Sequence, residues 1–197
     1  MPAGRKPKRK VKTIQVRNMV STCCVTLLNS LLTSPVTEVQ EISLGKVTLS
    51  YDPGKIKWES IVKILEENGF GIIEDREKIL VEQIKLAVID LVHHTTYNAM
   101  VRNSDYLVER FSMSYPYLSS LFSRHEATTL EKFIILHKIE KVKELIDYGE
   151  LSLSEIAFMM GYSSVQYLST QFKNITGISV TEYRNDPSVT RQPLDSI

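Results

Sequence analysis

The feature that most constrains this chain is an echo within its second half. Ser114-Tyr115-Pro116-Tyr117-Leu118-Ser119-Ser120-Leu121-Phe122 returns 50 residues later as Ser164-Val165-Gln166-Tyr167-Leu168-Ser169-Thr170-Gln171-Phe172, with five of nine positions identical. In each copy the Leu and the Phe four residues on share one helical face, while Ser119 and Ser120, or Ser169 and Thr170, project from the other sides. One face is suited to packing and another is left to meet a partner. A short helix precedes each copy: Ser104 to Arg110 with Leu107 and Val108 inward, and Ser154 to Met160 with Ile156 and Ala157 inward. Gly161 marks the joining turn of the second unit, where a positive φ costs little. Helix, tight turn, then a second helix with small polar residues outward is the helix-turn-helix arrangement, whose second helix enters the major groove. A plain helical bundle with surface serines would account for one such unit, but it accounts poorly for a tandem repeat.

Between the units, Leu130 to Asp147 reads as one helix with Phe133, Leu136, Ile139, Val142 and Leu145 in a narrow stripe. Such a helix spans about 27 Å at ~1.5 Å per residue. Successive major-groove sites on one face of DNA lie about 34 Å apart. A rigid spacer of this length can therefore set both second helices on one duplex.

The first half has a different rhythm. Lys12 to Val16 reads as extended and Cys23 to Leu32 as helical. Thr37 to Leu44 places Val39 and Ile42 inward, and Gly45 allows a turn into the strand Lys46 to Tyr51, with Val47, Leu49 and Tyr51 on one face. After Asp52-Pro53-Gly54 come an amphipathic helix from Trp58 to Glu67 and a short strand from Phe70 to Ile73. The order β-α-β-β-α-β predicts an α+β ferredoxin-like domain, followed from Glu77 by an all-α domain. The expected divisions are a basic tail at 1–11, the ferredoxin-like domain at 12–75, the double helix-turn-helix domain at 76–186 and a flexible tail at 187–197.

Charge is unevenly spread. The first 17 residues carry Arg5, Lys6, Lys8, Arg9, Lys10, Lys12 and Arg17 and no acid, whereas from Ser104 onward nine Lys or Arg face twelve Asp or Glu. That second balance is unhelpful for a nucleic-acid binder unless the acids lie away from the contact face. Many fall on the spacer helix, as Glu131, Glu140, Glu144 and Asp147 do, and the basic tail can lie along phosphates. The N-terminus lacks the apolar core of a secretory signal and no run suits a membrane span, so a cytoplasmic protein without membrane contact is expected. The two cysteines, Cys23 and Cys24, are adjacent and cannot staple distant segments, which fits a reducing compartment. His93 and His94 are neighbours, His125 and His137 read as isolated, and neither a phosphate loop nor a nucleophile motif is present. No enzyme activity and no cofactor are expected.

Residues from about Lys78 to Arg184 resemble the bacterial AraC/XylS family DNA-binding domain. The resemblance is carried by Ser154-Glu155-Ile156-Ala157, Gly161-Tyr162, Tyr167-Leu168-Ser169, Phe172-Lys173, Gly177 and Glu182-Tyr183-Arg184. Departures are Ser164 for the usual Asp, Thr170 for Arg, Val180 for Pro, and Ser112 and Ala127 where Gly is common. The resemblance implies double-stranded DNA as partner, with RNA polymerase or a second copy of the chain as further partners. It implies base reading by Tyr115, Pro116, Ser119 and Ser120 in the first unit and by Ser163, Val165, Gln166, Ser169 and Thr170 in the second. Gln pairs bidentately with adenine and Val touches a thymine methyl, and no Arg on these faces reads guanine, so an A·T-leaning site is expected. Arg124, Lys132 and Lys173 are the expected phosphate contacts.

Residues 12–75 resemble a heavy-metal-associated domain through Asn18-Met19, Cys24-Val25, Tyr51-Asp52 and Glu67-Asn68-Gly69-Phe70. That family clamps a soft metal between two thiolates, but Ser21 stands at the first Cys position and only Cys24 matches. Small residues at a helix start, a redox-responsive pair and a weak metal site all remain open for Cys23 and Cys24. The leading expectation is a sequence-specific transcription regulator with two recognition helices in adjacent major grooves. The alternative is a metal- or redox-handling or protein-interaction module whose helical domain docks a protein.

Overall fold

The computed structural model describes residues 9–94, 101–186 and 190–197. The chain divides into two compact units, 1–86 and 87–197. The first contains β1 (Lys10–Arg17), α1 (Thr22–Leu32), β2 (Thr37–Ser43), β3 (Lys46–Tyr51), α2 (Trp58–Glu67) and β4 (Gly71–Ile73), and the division falls inside α3 (Arg76–Ile89). The four strands pair antiparallel in the order β2-β3-β1-β4, the ferredoxin-like arrangement expected from the β-α-β-β-α-β order.

Alternation in β1 and β3 buries Ile14, Val16, Val47, Leu49 and Tyr51 against Leu28 and Leu32 of α1 and Ile61 and Leu65 of α2. The hairpin between β2 and β3 turns on Leu44-Gly45, where Gly45 takes φ +77°. In a regular strand Val39 and Ile42, three residues apart, would face opposite sides. A β-bulge between Val39 and Glu41 shifts the register, and both side chains pack on the core.

The basic tail differs from expectation. β1 starts at Lys10 because β3 extends far enough to pair with it, Lys10 opposite Tyr51 and Val11 opposite Ser50, while Arg9 bridges Glu38 at 2.8 Å. Arg5, Lys6 and Lys8 lie outside the described residues.

The second unit follows the rest of α3 with a π-helical turn, Asp90–His94. Among the described residues, the α-helices that follow are α4 (Asn103–Phe111), α5 (Tyr115–His125), α6 (Leu130–Tyr148), α7 (Leu153–Met159), α8 (Val165–Thr176) and α9 (Val180–Asn185), and Leu194–Ser196 forms a 3-10 turn. The expected narrow stripe on α6 is corrected by its surroundings. Leu136 and Leu145 are only half-buried, while Phe133, Ile134, His137, Lys138, Ile139, Glu140, Val142, Lys143 and Ile146 are all buried. α5, α7 and α8 and the π-helical turn all pack on α6, so it is a central post rather than a surface spacer with one apolar face. Val108, expected inward, is 37% exposed, while its neighbour Leu107 is buried.

Helix ends follow local chemistry. α7 and α9 each open with a capping box: the Ser152 hydroxyl accepts from Glu155 N–H and the Glu155 carboxylate accepts from Ser152 N–H, and Ser179 and Glu182 repeat the exchange. These bonds hold both Glu carboxyls below their ordinary range. Ser152→Ala is expected to cost about 1 kcal/mol, read as a lower urea midpoint. The C-terminal stretch, expected to be loose, is tied at two points: Arg191 pairs with Glu144 at 2.7 Å, and Gln192 N–H donates to Glu140 at 2.9 Å.

Candidate nucleic-acid interface

The two repeat copies form α5 and α8, each the second helix of a helix-turn-helix unit. In the first unit α4 ends at Ser112, which takes φ +53° in the left-handed region, so it fills the conformational role for which Gly is the ordinary choice. In the second, Gly161 takes φ +68°, its N–H donates to Phe158 C=O at 3.0 Å, and Tyr162 N–H donates to Ala157 C=O at 2.9 Å. That pair of bonds is a Schellman motif, which satisfies the last carbonyls of α7 and turns the chain toward α8. α8 begins at Ser164, whose hydroxyl accepts from Tyr167 N–H at 3.1 Å, so Ser164 serves as N-cap in place of the usual Asp. α5 begins with Tyr115-Pro116, where the missing proline N–H is no loss.

Leu118, Leu121 and Phe122 of α5 and Leu168 and Phe172 of α8 have no exposure and fix each helix on the core. The opposite sides are open. Pro116 and Ser120 are exposed and Tyr115 and Ser119 half-buried on α5. In the second unit Ser163, Gln166 and Thr170 are exposed and Val165 and Ser169 half-buried. The Thr170 hydroxyl donates to Gln166 C=O at 2.9 Å, which leaves its oxygen to act mainly as an acceptor. Arg124, Lys132 and Lys173 are all exposed.

Two exposed aromatic residues belong beside these. Tyr117 and Tyr167 are 45% and 50% exposed at the same place on α5 and α8, and Gln171 Nε2 donates to the Tyr167 hydroxyl at 3.3 Å. Both are among the five identical positions of the repeat, a signal already present in the sequence but overshadowed by the polar residues around them.

The acidic balance of this half resolves by location. α5 and α8 contain no Asp or Glu. Glu140 pairs with Lys143, and Glu144 with Lys141 and Arg191. Burial works to raise the Glu144 carboxyl, but the hydrogen bond and charge of Lys141, with Arg191, outweigh it and hold it low. Asp147 accepts from the Tyr183 hydroxyl at 3.1 Å, and burial together with that bond pushes Tyr183 up to about 12. These three acids are committed to internal pairs, and none sits on α5 or α8.

His137, read as isolated, is paired. Its Nδ1 lies 3.3 Å from His93 Nε2, the rings meet edge-on at 5.5 Å, and Phe133 packs on the other side at 4.4 Å.

In the first unit Cys23 is exposed and Cys24 half-buried, with the Cys24 Sγ 3.6 Å from the Ser21 hydroxyl and 3.9 Å from Asn18 C=O. The loop before α1 offers one thiol beside a hydroxyl, which does not fit a two-thiolate clamp for a soft metal. Asn18 takes φ +67°, its N–H donates to Glu82 at 2.8 Å and its side-chain amide to Gly69 C=O at 2.8 Å, so hydrogen bonds to other segments hold this loop.

Residues 107–186 match a family described as a helix-turn-helix domain. Over 100 residues the chain is 30% identical to the xylose operon regulatory protein of Escherichia coli K12, covering 50% of this chain and 26% of that protein. It is 29% identical over 103 residues to the raffinose operon transcriptional regulatory protein RafR of Pediococcus pentosaceus, covering 52% and 36%. Against the msm operon regulatory protein of Streptococcus mutans it is 23% identical over 132 residues, covering 66% and 45%. The chain thus spans less than half the length of these curated relatives. Among solved structures, the C-terminal domain of AraT, a response regulator from Geobacillus stearothermophilus, aligns with a TM-score of 0.48 at 23% identity, over 60% of this chain and 94% of that one. Residues 107–186, which hold α5 and α8, form a helix-turn-helix domain of the AraC type.

Proposed function

We propose that this chain is a sequence-specific transcription regulator that binds duplex DNA in the cytoplasm, with α5 and α8 in adjacent major grooves. The observation that carries this reading is the repeated pair of second helices, each fixed by buried Leu and Phe and each free of acidic residues. Tyr115, Pro116, Ser119 and Ser120 read one groove, and Ser163, Val165, Gln166, Ser169 and Thr170 the other. Arg124, Lys132 and Lys173 contact phosphates, and the exposed Tyr117 and Tyr167 border both contact faces. The first unit, at 12–75 by its sequence pattern, serves effector binding or self-association, and RNA polymerase or a second copy of the chain completes the regulatory complex. Among the described residues no helix is long and apolar enough to cross a membrane.

Selection of genomic fragments by the purified protein at physiological salt tests the reading. Enrichment of an A·T-leaning consensus is expected, and Gln166→Ala should weaken the enriched site by about 1–3 kcal/mol, concentrated at one base pair. A consensus built on guanines would remove the assignment of base readers, and absence of any enrichment would remove the regulator reading.

A further inference from the structure

A cleft of about 570 Å³ opens within the helical unit between the two helix-turn-helix units. α6 forms its floor with Ile134, Ile135 and Lys138, Tyr115 borders it on one side, and Tyr162 and Tyr167 border it on the other. The size falls within the roughly 300–1,000 Å³ of small-ligand sites, and the lining joins an apolar strip of Ile134, Ile135 and the tyrosine rings to polar groups that include Arg102, Glu131 and Lys138.

Two donor groups at the wall, Lys138 and the Tyr162 hydroxyl, have hydrogen-bonding capacity that the described residues do not fill. Lys138 is 9% exposed; one N–H donates to Met160 C=O at 2.9 Å, and the ammonium lies 5.7 Å from the centre of the Tyr162 ring. No carboxylate among the described residues pairs with it, which leaves two N–H groups and a buried positive charge. The Tyr162 hydroxyl is closed off from solvent and has no hydrogen-bond partner among the described residues. A buried polar atom without a partner costs about as much as a lost hydrogen bond or more, so whatever supplies the partner gains binding free energy. Arg102 adds a second cation at the rim, and Glu131 a single acid.

We infer that this cleft is a binding site for a small organic carboxylate with an aromatic or aliphatic body, its carboxylate received by Lys138 and the Tyr162 hydroxyl and its body held against Ile134, Ile135 and the tyrosine rings. Carboxylate is the chemistry that uses both donors at once and neutralises the buried ammonium. An apolar body suits the walls better than a bare inorganic anion does. Burial lowers the Lys138 ammonium to about 8 and raises the Tyr162 phenol, so both stay donors at neutral pH. The carbonyl of Met160, at the end of α7, also explains why Lys138 is held at the wall rather than extended into solvent.

The inference does not depend on DNA binding, and it is tested on the full chain by calorimetric titration with benzoate, phenylacetate and hexanoate, with benzamide as the uncharged counterpart. At least one carboxylate is expected to bind with a Kd of about 1 mM or better, and benzamide about tenfold more weakly. Lys138→Met should weaken the carboxylate about tenfold or more. Tyr162→Phe separates a ligand site from a structural role: it removes a hydroxyl that has no partner, so the thermal midpoint should hold or rise while carboxylate affinity falls several-fold. The inference is overturned if none of the three acids binds, if benzamide binds as well as benzoate, or if both variants bind the acids as the parent chain does.

Discussion

Phe133→Ala is expected to destabilise the helical unit by roughly 3–5 kcal/mol, the largest effect of any single truncation considered. Phe133 is 2% exposed on α6, its ring lies 5.2 Å from that of Phe122 on α5, and its other side meets His137 at 4.4 Å. Truncation removes the apolar area of the ring and leaves a void among residues that cannot collapse into it. Phe122 is anchored by α5, and His137 by its contact with His93. α5 rests on that ring, so the DNA binding proposed for it should weaken together with stability. Urea unfolding followed by helical circular dichroism gives the size of the loss. A change below about 0.5 kcal/mol, the level of a surface substitution, would show that α6 is not the central post of this unit.

The second large effect depends on pH. Burial, more than the nearby charges of Lys141, His94 and Arg191, brings His93 down from 6.5 to about 4, with Glu144 opposing the shift. Its Nε2 faces His137, and its Nδ1 is buried without a hydrogen-bond partner among the described residues, so a second ring proton would have nowhere to go. The folded pKa is therefore depressed. Above pH 6.5 neither the folded nor the unfolded chain protonates this ring, and its full contribution to stability is present. As pH falls from 6.5 to 4 the unfolded chain takes up a proton that the folded chain refuses, and stability drops. The loss amounts to at most roughly 3 kcal/mol, reduced by the ring's residual exposure. Urea midpoints at a series of pH values between 7 and 4 should fall for the parent chain and fall less for His93→Gln, which cannot titrate. Parallel curves for the two proteins would mean that His93 titrates alike in the folded and unfolded chain.

Much of the candidate interface was legible because helical faces are a local matter. The spacing of Leu118 and Phe122, and of Leu168 and Phe172, identified which side of each second helix is buried, and all four side chains are inaccessible. That left the polar residues between them as the open side. Ser112 was visible as a departure from Gly, but its left-handed φ came only with the fold. Tyr117 and Tyr167 were visible as a repeated pair, yet nothing local says that a tyrosine on a helix stays outside. Val108 shows the same limit: its place in the apolar pattern suggested burial, and packing left it 37% exposed.

By itself the sequence determined the order of elements, the β-α-β-β-α-β unit followed by helices, the tandem helix-turn-helix units and the inward faces of their second helices, since all of these follow from periods of two or 3.6 residues and from turn and cap chemistry within a few positions. Only the tertiary structure decided that α6 is buried nearly all round, that His93 meets His137 across 44 residues of chain, that Lys138 reaches the carbonyl of Met160, and that Glu140 and Glu144 are spent on internal pairs. Each of these joins groups far apart in the chain, and burial of charge or of a second helical face depends on which neighbours arrive. That is a property of the packed assembly of helices and not of any one segment.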